Sequence, residues 1–140
     1  MRMNLVSLAI DNISELLVKI IEFTHTRQKM LIQNINNIHI AGFAPKDMAV
    51  GEFSALLHDA IDEHTQNRRL LLRDTENFKF GANGSFKAEA VPDEYARELL
   101  EEDLDKYMNL QIKKLVENSL NQRVAAELLR RRQEAVLTFW

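Results

Sequence analysis

Hydrophobic residues recur at steps of three and four along two long segments, one near each end of the chain. The first segment runs from Leu5 to Ile38, and the second begins near Val91 and continues toward Trp140. This spacing places apolar side chains on one face of an α-helix, so the pattern predicts two long helices. The first would be about 50 Å long at ~1.5 Å per residue, which favours a coiled-coil partner.

The segment between these helices has weaker patterns. Apolar residues from Val50 to Ile61 have helical spacing and predict a short amphipathic helix of about three turns. Phe78-Lys79-Phe80 alternates like a strand, Gly81-Ala82-Asn83-Gly84 supplies turn residues, and Phe86 starts a candidate return strand. Because an isolated hairpin is marginal in water, we expect this segment to need a packing partner.

Residues that stop or start helices mark both boundaries of the middle segment. Asn34-Ile35-Asn36-Asn37 is followed by Gly42 and Pro45. Asn competes for backbone hydrogen bonds, Gly adopts left-handed dihedral angles, and Pro disfavours helix in the residue before it. We therefore expect the first helix to end between Asn37 and Gly42. Val91-Pro92-Asp93-Glu94 is typical of a helix start.

These elements define an all-α fold class. The long N- and C-terminal helices are predicted to pair as a coiled-coil-like hairpin, with a short helix and a candidate β-hairpin between them. The predicted divisions are residues 1–40, 41–92 and 93–140. A chain of 140 residues with 46% hydrophobic content, four Gly and two Pro favours one mainly helical unit.

The sequence contains no convincing catalytic or metal-binding pattern. Glu22 and His25 have the spacing found in di-iron bundles, but the motif occurs once and such sites need it twice. His58 and His64 are six residues apart and therefore lie on different faces of a helix. With no Cys there is no thiolate ligand or cysteine nucleophile. We expect no enzyme activity, no metal, no cofactor and no small-molecule substrate.

Charge along the second long helix is sorted. Acidic residues dominate after Asp93, and Arg130-Arg131-Arg132 lies near the end. This order either compensates the helix dipole on a solvated face or lets the ends of stacked copies meet. A formal net charge of −3 argues against a nucleic-acid partner. An alternative remains, namely an intracellular helical-hairpin regulator that binds protein or nucleic acid through two arginine clusters. One cluster is Arg130-Arg131-Arg132, and the other is Arg68-Arg69 with Arg73.

The first residues do not resemble a secretory signal. The apolar stretch before Asp11 has about six residues, whereas a signal peptide has roughly 7–15 and a cleavage site of small residues. No window approaches the roughly 20 apolar residues of a membrane span. We therefore interpret the N-terminus as part of the first helix.

The helix-stop region resembles a signature of bacterial flagellar axial proteins. That signature has the pattern A-N-I-A-N-x-x-T-P-G-Y-x-x-x-D, and Ile40-Ala41 stands here in place of its Thr-Pro. The positions that coincide with the signature, counting Phe43 for its Tyr, are Asn34, Ile35, Asn37, Gly42, Phe43 and Asp47.

A second similarity lies on the other long helix. Lys114-Leu115-Val116-Glu117-Asn118-Ser119-Leu120 is similar to the K-L-A-E-N-S-L of flagellar basal-body rod proteins, and Asp103-Leu104-Asp105-Lys106 to the D-L-D-R that precedes it. The two similarities identify the chain as a candidate member of the rod protein family, with proximal rod proteins as the best match.

The resemblance implies a structural function. Rod proteins leave the cell through the flagellar type III export apparatus without a cleaved signal peptide, and polymerise into the periplasmic rod of the basal body, the axial drive shaft used for motility. Implied partners are copies of this chain, other rod or axial proteins, and the export apparatus, with no nucleic acid.

The resemblance also suggests roles for individual residues. Asn34, Asn37 and Gly42 would fix where the first helix stops, and Asn118 would set helix register through a hydrogen bond. The apolar residues would meet within one chain or between neighbouring copies. These assembly residues are Ile13, Leu17, Ile20 and Leu31 on the first helix, and Leu104, Met108, Ile112, Leu115 and Leu120 on the second.

Overall fold

The computed structural model describes residues 12–81 and 86–139. The prediction of a mainly helical chain is confirmed in these residues, together with a few short strands. In chain order the elements are α1 (Asn12–Asn36), β1 (Lys46–Met48), α2 (Val50–Asn67), β2 (Phe78–Phe80), β3 (Phe86–Ala88), β4 (Ala90–Pro92), α3 (Glu94–Glu102) and α4 (Leu104–Phe139).

Helix α1 ends at Asn36, one residue before the predicted interval. The Asn37 N–H still donates to the Gln33 carbonyl at 3.0 Å, and a turn follows. Gly42 adopts a left-handed φ of 75°, the conformation that glycine reaches without a steric cost. The start of the predicted first helix, residues 1–11, lies outside the described residues.

The C-terminal helical segment is divided at Asp103, a break that we did not predict. The Asp103 N–H donates to the Leu99 carbonyl at 2.7 Å and closes α3, while its side chain accepts from the Lys106 N–H at 3.1 Å and caps α4. Asp93 caps α3 in the same way by accepting from the Ala96 N–H at 3.0 Å. Aspartate is a favoured N-cap because its carboxylate satisfies an otherwise free backbone donor.

The four strands form two antiparallel pairs. Strands β2 and β3 make the predicted hairpin, with Phe80 opposite Phe86, while the predicted turn residues 82–84 lie outside the described residues. Strands β1 and β4 pair with Met48 opposite Ala90, a contact that the sequence did not predict. Unlike Phe78-Lys79-Phe80, neither strand alternates apolar and polar residues, since β1 reads Lys-Asp-Met and β4 reads Ala-Val-Pro, which explains the omission.

Helix α2 is longer than predicted and continues past Ile61 to Asn67. Arg68 follows as the C-cap with a left-handed φ of 56°, and its N–H donates to the His64 carbonyl at 3.0 Å. The Asn12 side chain donates to the Arg68 carbonyl at 3.2 Å. This bond joins the first described turn of α1 to the end of α2.

Aromatic side chains hold the β2–β3 hairpin against α1 and α2. Phe23 of α1 stacks on Phe53 of α2 with ring centroids 4.1 Å apart. Phe78 of β2 lies 5.3 Å from Phe53 and is fully buried, and Phe86 of β3 stacks on Phe78 at 6.2 Å. The hairpin thus obtains the packing partner that its short strands require.

Replacement of Phe53 by alanine should lower the free energy of unfolding by about 3–5 kcal/mol, because it opens a cavity at the centre of this cluster. The measurement is urea unfolding followed by circular dichroism. Tyr95→Ala is the matched control, since Tyr95 is exposed and its loss should change stability by at most about 0.5 kcal/mol. Equal effects of the two variants would contradict the proposed core.

Candidate functional site

Asn34, a signature residue, connects the end of α1 to β1 and α4. Its side-chain amide donates to the Lys46 carbonyl at 2.7 Å, and its oxygen accepts from the Lys46 N–H at 3.2 Å. The same amide donates to Gln111 at 3.0 Å, and the Tyr107 hydroxyl donates to the Asn34 carbonyl at 2.6 Å. Asn34 is almost fully buried, so these bonds replace those it would make to water.

Asp47, the last signature residue, lies beside this amide network and carries a buried charge. Its carboxylate accepts from both Arg27 Nε and Nη2, at 2.9 and 3.0 Å, and from Lys114 Nζ at 2.9 Å. Lys114 also donates to Asp93 at 2.7 Å. We call the combined set the polar junction; its members are Arg27, Asn34, Asp47, Asp93, Tyr107, Gln111 and Lys114.

Electrostatics within the polar junction favour the charged forms. Burial raises the pKa of Asp47, but the hydrogen bonds and charges of Arg27 and Lys114 outweigh it and hold the pKa below its ordinary value. Burial lowers the pKa of Lys114, but Asp93 and Asp47 outweigh it and raise the pKa above normal. Burial, with a smaller contribution from Asp93, raises the pKa of Tyr107 to about 12, so its hydroxyl stays a donor at neutral pH.

The contact between α1 and α4 is the most extensive between any two elements in the described part of the chain. Asn118 is buried within it and donates to the Thr24 carbonyl at 2.7 Å. Contacts of Asn34 with Tyr107, and of Thr24 with Asn118, show that the helices are antiparallel. Buried or partly buried positions of this seam are Leu17, Thr24, Arg27, Leu31 and Asn34 on α1, and Tyr107, Gln111, Lys114, Asn118 and Ala125 on α4.

The remaining signature positions lie around the turn after α1. Ile35, Asn37 and Phe43 are partly buried, and Gly42 is exposed. The Phe43 N–H donates to the Ile40 carbonyl at 3.1 Å, and the Ile40 N–H to the Asn37 carbonyl at 3.0 Å. Of the six predicted positions, Asn34 and Asp47 therefore belong to the polar junction. The other four lie at the end of α1 or in the turn that connects α1 to β1.

The predicted assembly residues do not all lie together. On α1, Leu17 and Leu31 are buried, and Ile13 and Ile20 are partly buried. On α4, Met108 and Leu115 are partly buried, whereas Leu104, Ile112 and Leu120 are exposed. The apolar stripe of α4 is thus not the surface that faces α1.

Exposed apolar residues form a row that winds around α4, from the side opposite α1 at Ile112 to the edge of the contact with α1 at Leu128. Its residues repeat every four positions and are 46% to 57% exposed. Ile112, Val116 and Leu120 each lie two residues from Lys114 or Asn118, which is about 200° around the helix from the seam. We call this row the α4 ridge; its members are Ile112, Val116, Leu120, Val124 and Leu128.

No family model, curated protein or solved structure matches this chain.

The sequence analysis did not single out Arg27 and Gln111 of the polar junction or Thr24 of the seam, and it included Lys114 only as part of a motif. Arg27, Thr24, Gln111 and Lys114 are polar residues on long helices, where polar side chains normally face water. One signal was present: Tyr107, Gln111, Lys114 and Asn118 are separated by four, three and four residues, the spacing of a coiled-coil seam. An apolar search overlooks this spacing because most of these residues are polar.

The other candidate sites gain no support from the geometry. No group of three or more metal-ligating side chains occurs within residues 12–81 and 86–139. Arg130 pairs with Glu127 and Glu134, and Arg131 pairs with Glu127, so much of this basic cluster is neutralised on its own helix. None of the described helices has the length and apolar character needed to cross a membrane.

Asp47→Asn should lower the free energy of unfolding by about 3–5 kcal/mol, since it leaves the Arg27 guanidinium buried without its countercharge. Urea unfolding at neutral pH measures this loss. The control Glu94→Gln removes an exposed ion pair with Arg97 and should cost at most about 1 kcal/mol. A loss of similar size in both variants would refute the structural importance of the junction.

The effect of Asp47→Asn should also depend on pH. The pKa of Asp47 is lower in the folded chain than its unfolded value of about 3.9, so its stabilisation is complete above that value and is lost as pH falls through the folded pKa. The stability difference between the parent chain and Asp47→Asn should therefore shrink between about pH 5 and pH 2. Unfolding curves across this range test it, and a constant difference would contradict the lowered pKa.

Proposed function

We propose that this chain is a structural subunit of the rod of the bacterial flagellar basal body, in its proximal part. It would assemble through its terminal helices into the axial shaft used for motility. Its partners would be copies of itself, other axial proteins and the flagellar export apparatus, and it would work in the periplasmic rod after export. The proposal assigns it no catalytic role.

One contact carries most of this proposal. Asp47 is the last residue of the axial-protein signature, and Lys114 is the first residue of the second rod-like motif. Their side chains form an ion pair with 2.9 Å between Lys114 Nζ and Asp47 Oδ2. Two motifs that are distant in sequence therefore meet in one buried cluster, as expected if both belong to one functional unit.

The arrangement of the long helices agrees with this function. The seam positions on α4 repeat with coiled-coil spacing, and α1 packs along them in the opposite direction. We propose that this antiparallel pair acts as the coiled-coil-like hairpin of the subunit. Asn118 would fix its register, since a misaligned helix would leave a buried amide without a partner.

The exposed apolar surface of α4 supports the proposal that this chain assembles with other subunits. The N-terminal part of the α4 ridge, Ile112, Val116 and Leu120, faces away from α1, and its C-terminal end, Val124 and Leu128, borders a groove of about 370 Å³ beside α1. Leu17 and Ile20 of α1 and Leu57 of α2 line the same groove. Contiguous apolar surface of this kind marks interaction sites in soluble domains.

The regulator alternative has weaker support. Binding of nucleic acid or acidic protein through Arg130 and Arg131 would compete with Glu127 and Glu134, which already hold these side chains. The polar junction would have no direct part in such binding. A subunit that assembles through its helices uses both the junction and the ridge.

The test is the location of the chain in purified basal bodies. In the organism that carries it, deletion should abolish swimming, and a copy with an epitope in the exposed segment 68–70 should restore it. Electron microscopy should then show the antibody label on the rod. Motile cells whose rods carry no label would refute the assignment.

A pair of variants refines this test. Ile112→Glu places a charge on the α4 ridge and should prevent restoration of swimming, whereas Asn109→Glu adds the same charge at an exposed polar position of α4 and should permit it. Circular dichroism of both purified variants verifies that each keeps its fold.

A further inference from the structure

We propose that residues 3–10 of this chain dock on the last turns of its own α4 and extend the antiparallel seam as far as Phe139. The segment would continue α1 as a helix, with Ile10 and Met3 on the side that meets α4. This inference concerns the free chain and does not rest on the rod assignment.

The first argument is the alignment of α1 and α4. The hydrogen bond from Asn118 to the Thr24 carbonyl sets these two residues level with each other. From this level, buried positions recur every seven residues in opposite directions along the two helices. The level pairs are therefore Leu31 with Gln111, Thr24 with Asn118, and Leu17 with Ala125.

The second argument is that α4 continues past the described start of α1. By the same alignment, Asn12 lies level with Arg130, whereas α4 extends to Phe139. The difference is about nine residues, or about 13 Å at the rise of an α-helix. The described seam therefore ends before α4 does.

The third argument is the length and pattern of the segment that precedes Asn12. As a helix, residues 3–11 would reach the level of Phe139 without any change in alignment. The seven-residue step that joins Leu31, Thr24 and Leu17 leads next to Ile10 and then to Met3, which are both apolar. A seam with seven-residue periodicity is thus continued by the sequence beyond the described residues.

The corresponding positions of α4 also suit this contact. The step of seven from Ala125 leads to Arg132 and then to Phe139. Arg132 is partly buried, and the aliphatic stem of an arginine can cover apolar surface. Ile10 would therefore lie level with Arg132, and Met3 level with Phe139.

The covalent connection to α1 favours the segment of the same chain over that of a second copy. A segment joined directly to the neighbouring helix has an effective concentration of about millimolar at this surface. Free chains at micromolar concentration compete poorly with it. The docked segment would lengthen the α1–α4 pair and leave its alignment unchanged.

Cysteine pairs test the alignment directly, because the chain has no native cysteine. A disulfide requires Cα atoms within about 7 Å. Under mild oxidation, the double variant Ile10→Cys with Arg132→Cys should form a disulfide within one chain. Leu17→Cys with Ala125→Cys, a level pair of the described seam, is the positive control.

Leu8→Cys with Arg132→Cys is the matched negative control. Leu8 is close to Ile10 in the chain but would lie about 200° around the helix from it. A docked helix therefore links only the Ile10 variant, whereas an undocked segment links both to a similar extent. Non-reducing electrophoresis separates a link within one chain from a link between two chains.

A variant that lacks residues 2–10 supplies an independent measurement. Loss of the segment should speed amide hydrogen exchange in residues 133–139 by about tenfold or more, because helix turns without packing fray. Exchange in α3 should not change, and this internal control shows that the rest of the fold is intact. Mass spectrometry of peptic fragments gives both rates. This measurement also decides the question if the positive control forms no disulfide.

Three results would overturn the proposal. The Ile10 pair links no more than the Leu8 pair, the links join two chains and so show that a second copy supplies the segment, or the deletion leaves exchange in residues 133–139 unchanged. None of them bears on the rod assignment, which depends on the location of the chain in basal bodies. Absence of the chain from the rod would likewise leave the docking untouched.

Discussion

The buried carboxylate of Asp47 is the constraint on which the rest of the structure depends. A charge removed from water is tolerated only when countercharges and hydrogen bonds surround it. Asp47 obtains them from Arg27 on α1 and Lys114 on α4, and Lys114 in turn binds Asp93 at the start of α3. Helices α1 and α4 and the start of α3, which are far apart in sequence, must therefore assemble together around β1. If one of them were out of place, a charged side chain of the cluster would be buried without its partner.

The buried amides of the seam fix how α1 and α4 are aligned along each other, which the charge cluster around Asp47 does not do alone. Asn34 binds both backbone groups of Lys46 as a paired strand would, and Asn118 reaches the Thr24 carbonyl further along the seam. Hydrophobic contacts alone tolerate sliding of one helix along another, since they are non-directional. Hydrogen bonds at the two levels do not tolerate it, because a shift of one turn would leave buried amides unpaired.

Local patterns predicted the helical content, the end of α1 to within one residue and the two strands of the hairpin. Steps of three and four, Asn, Gly and Pro at helix ends, and alternation all act over neighbouring residues. They did not predict the β1–β4 pair or the division at Asp103. The largest discrepancy is the face of α4 that meets α1. Ile112 and Leu120 were predicted to meet α1, yet both are exposed, and Gln111 is buried there together with Asn118, the one polar residue of α4 that was expected in this contact. That choice depends on partners such as Asn34 and Asp47, which no local window contains.

The N-terminal half of helix α4 thus has polar residues in the seam and apolar residues outside, the reverse of an ordinary amphipathic surface helix. Full burial of a Val, Leu or Ile side chain contributes about 1.5–3 kcal/mol, so covering five half-exposed ones would contribute on the order of 5 kcal/mol. Directional polar contacts therefore hold α1 and α4 together, and the described residues leave the hydrophobic free energy of the α4 ridge largely unused.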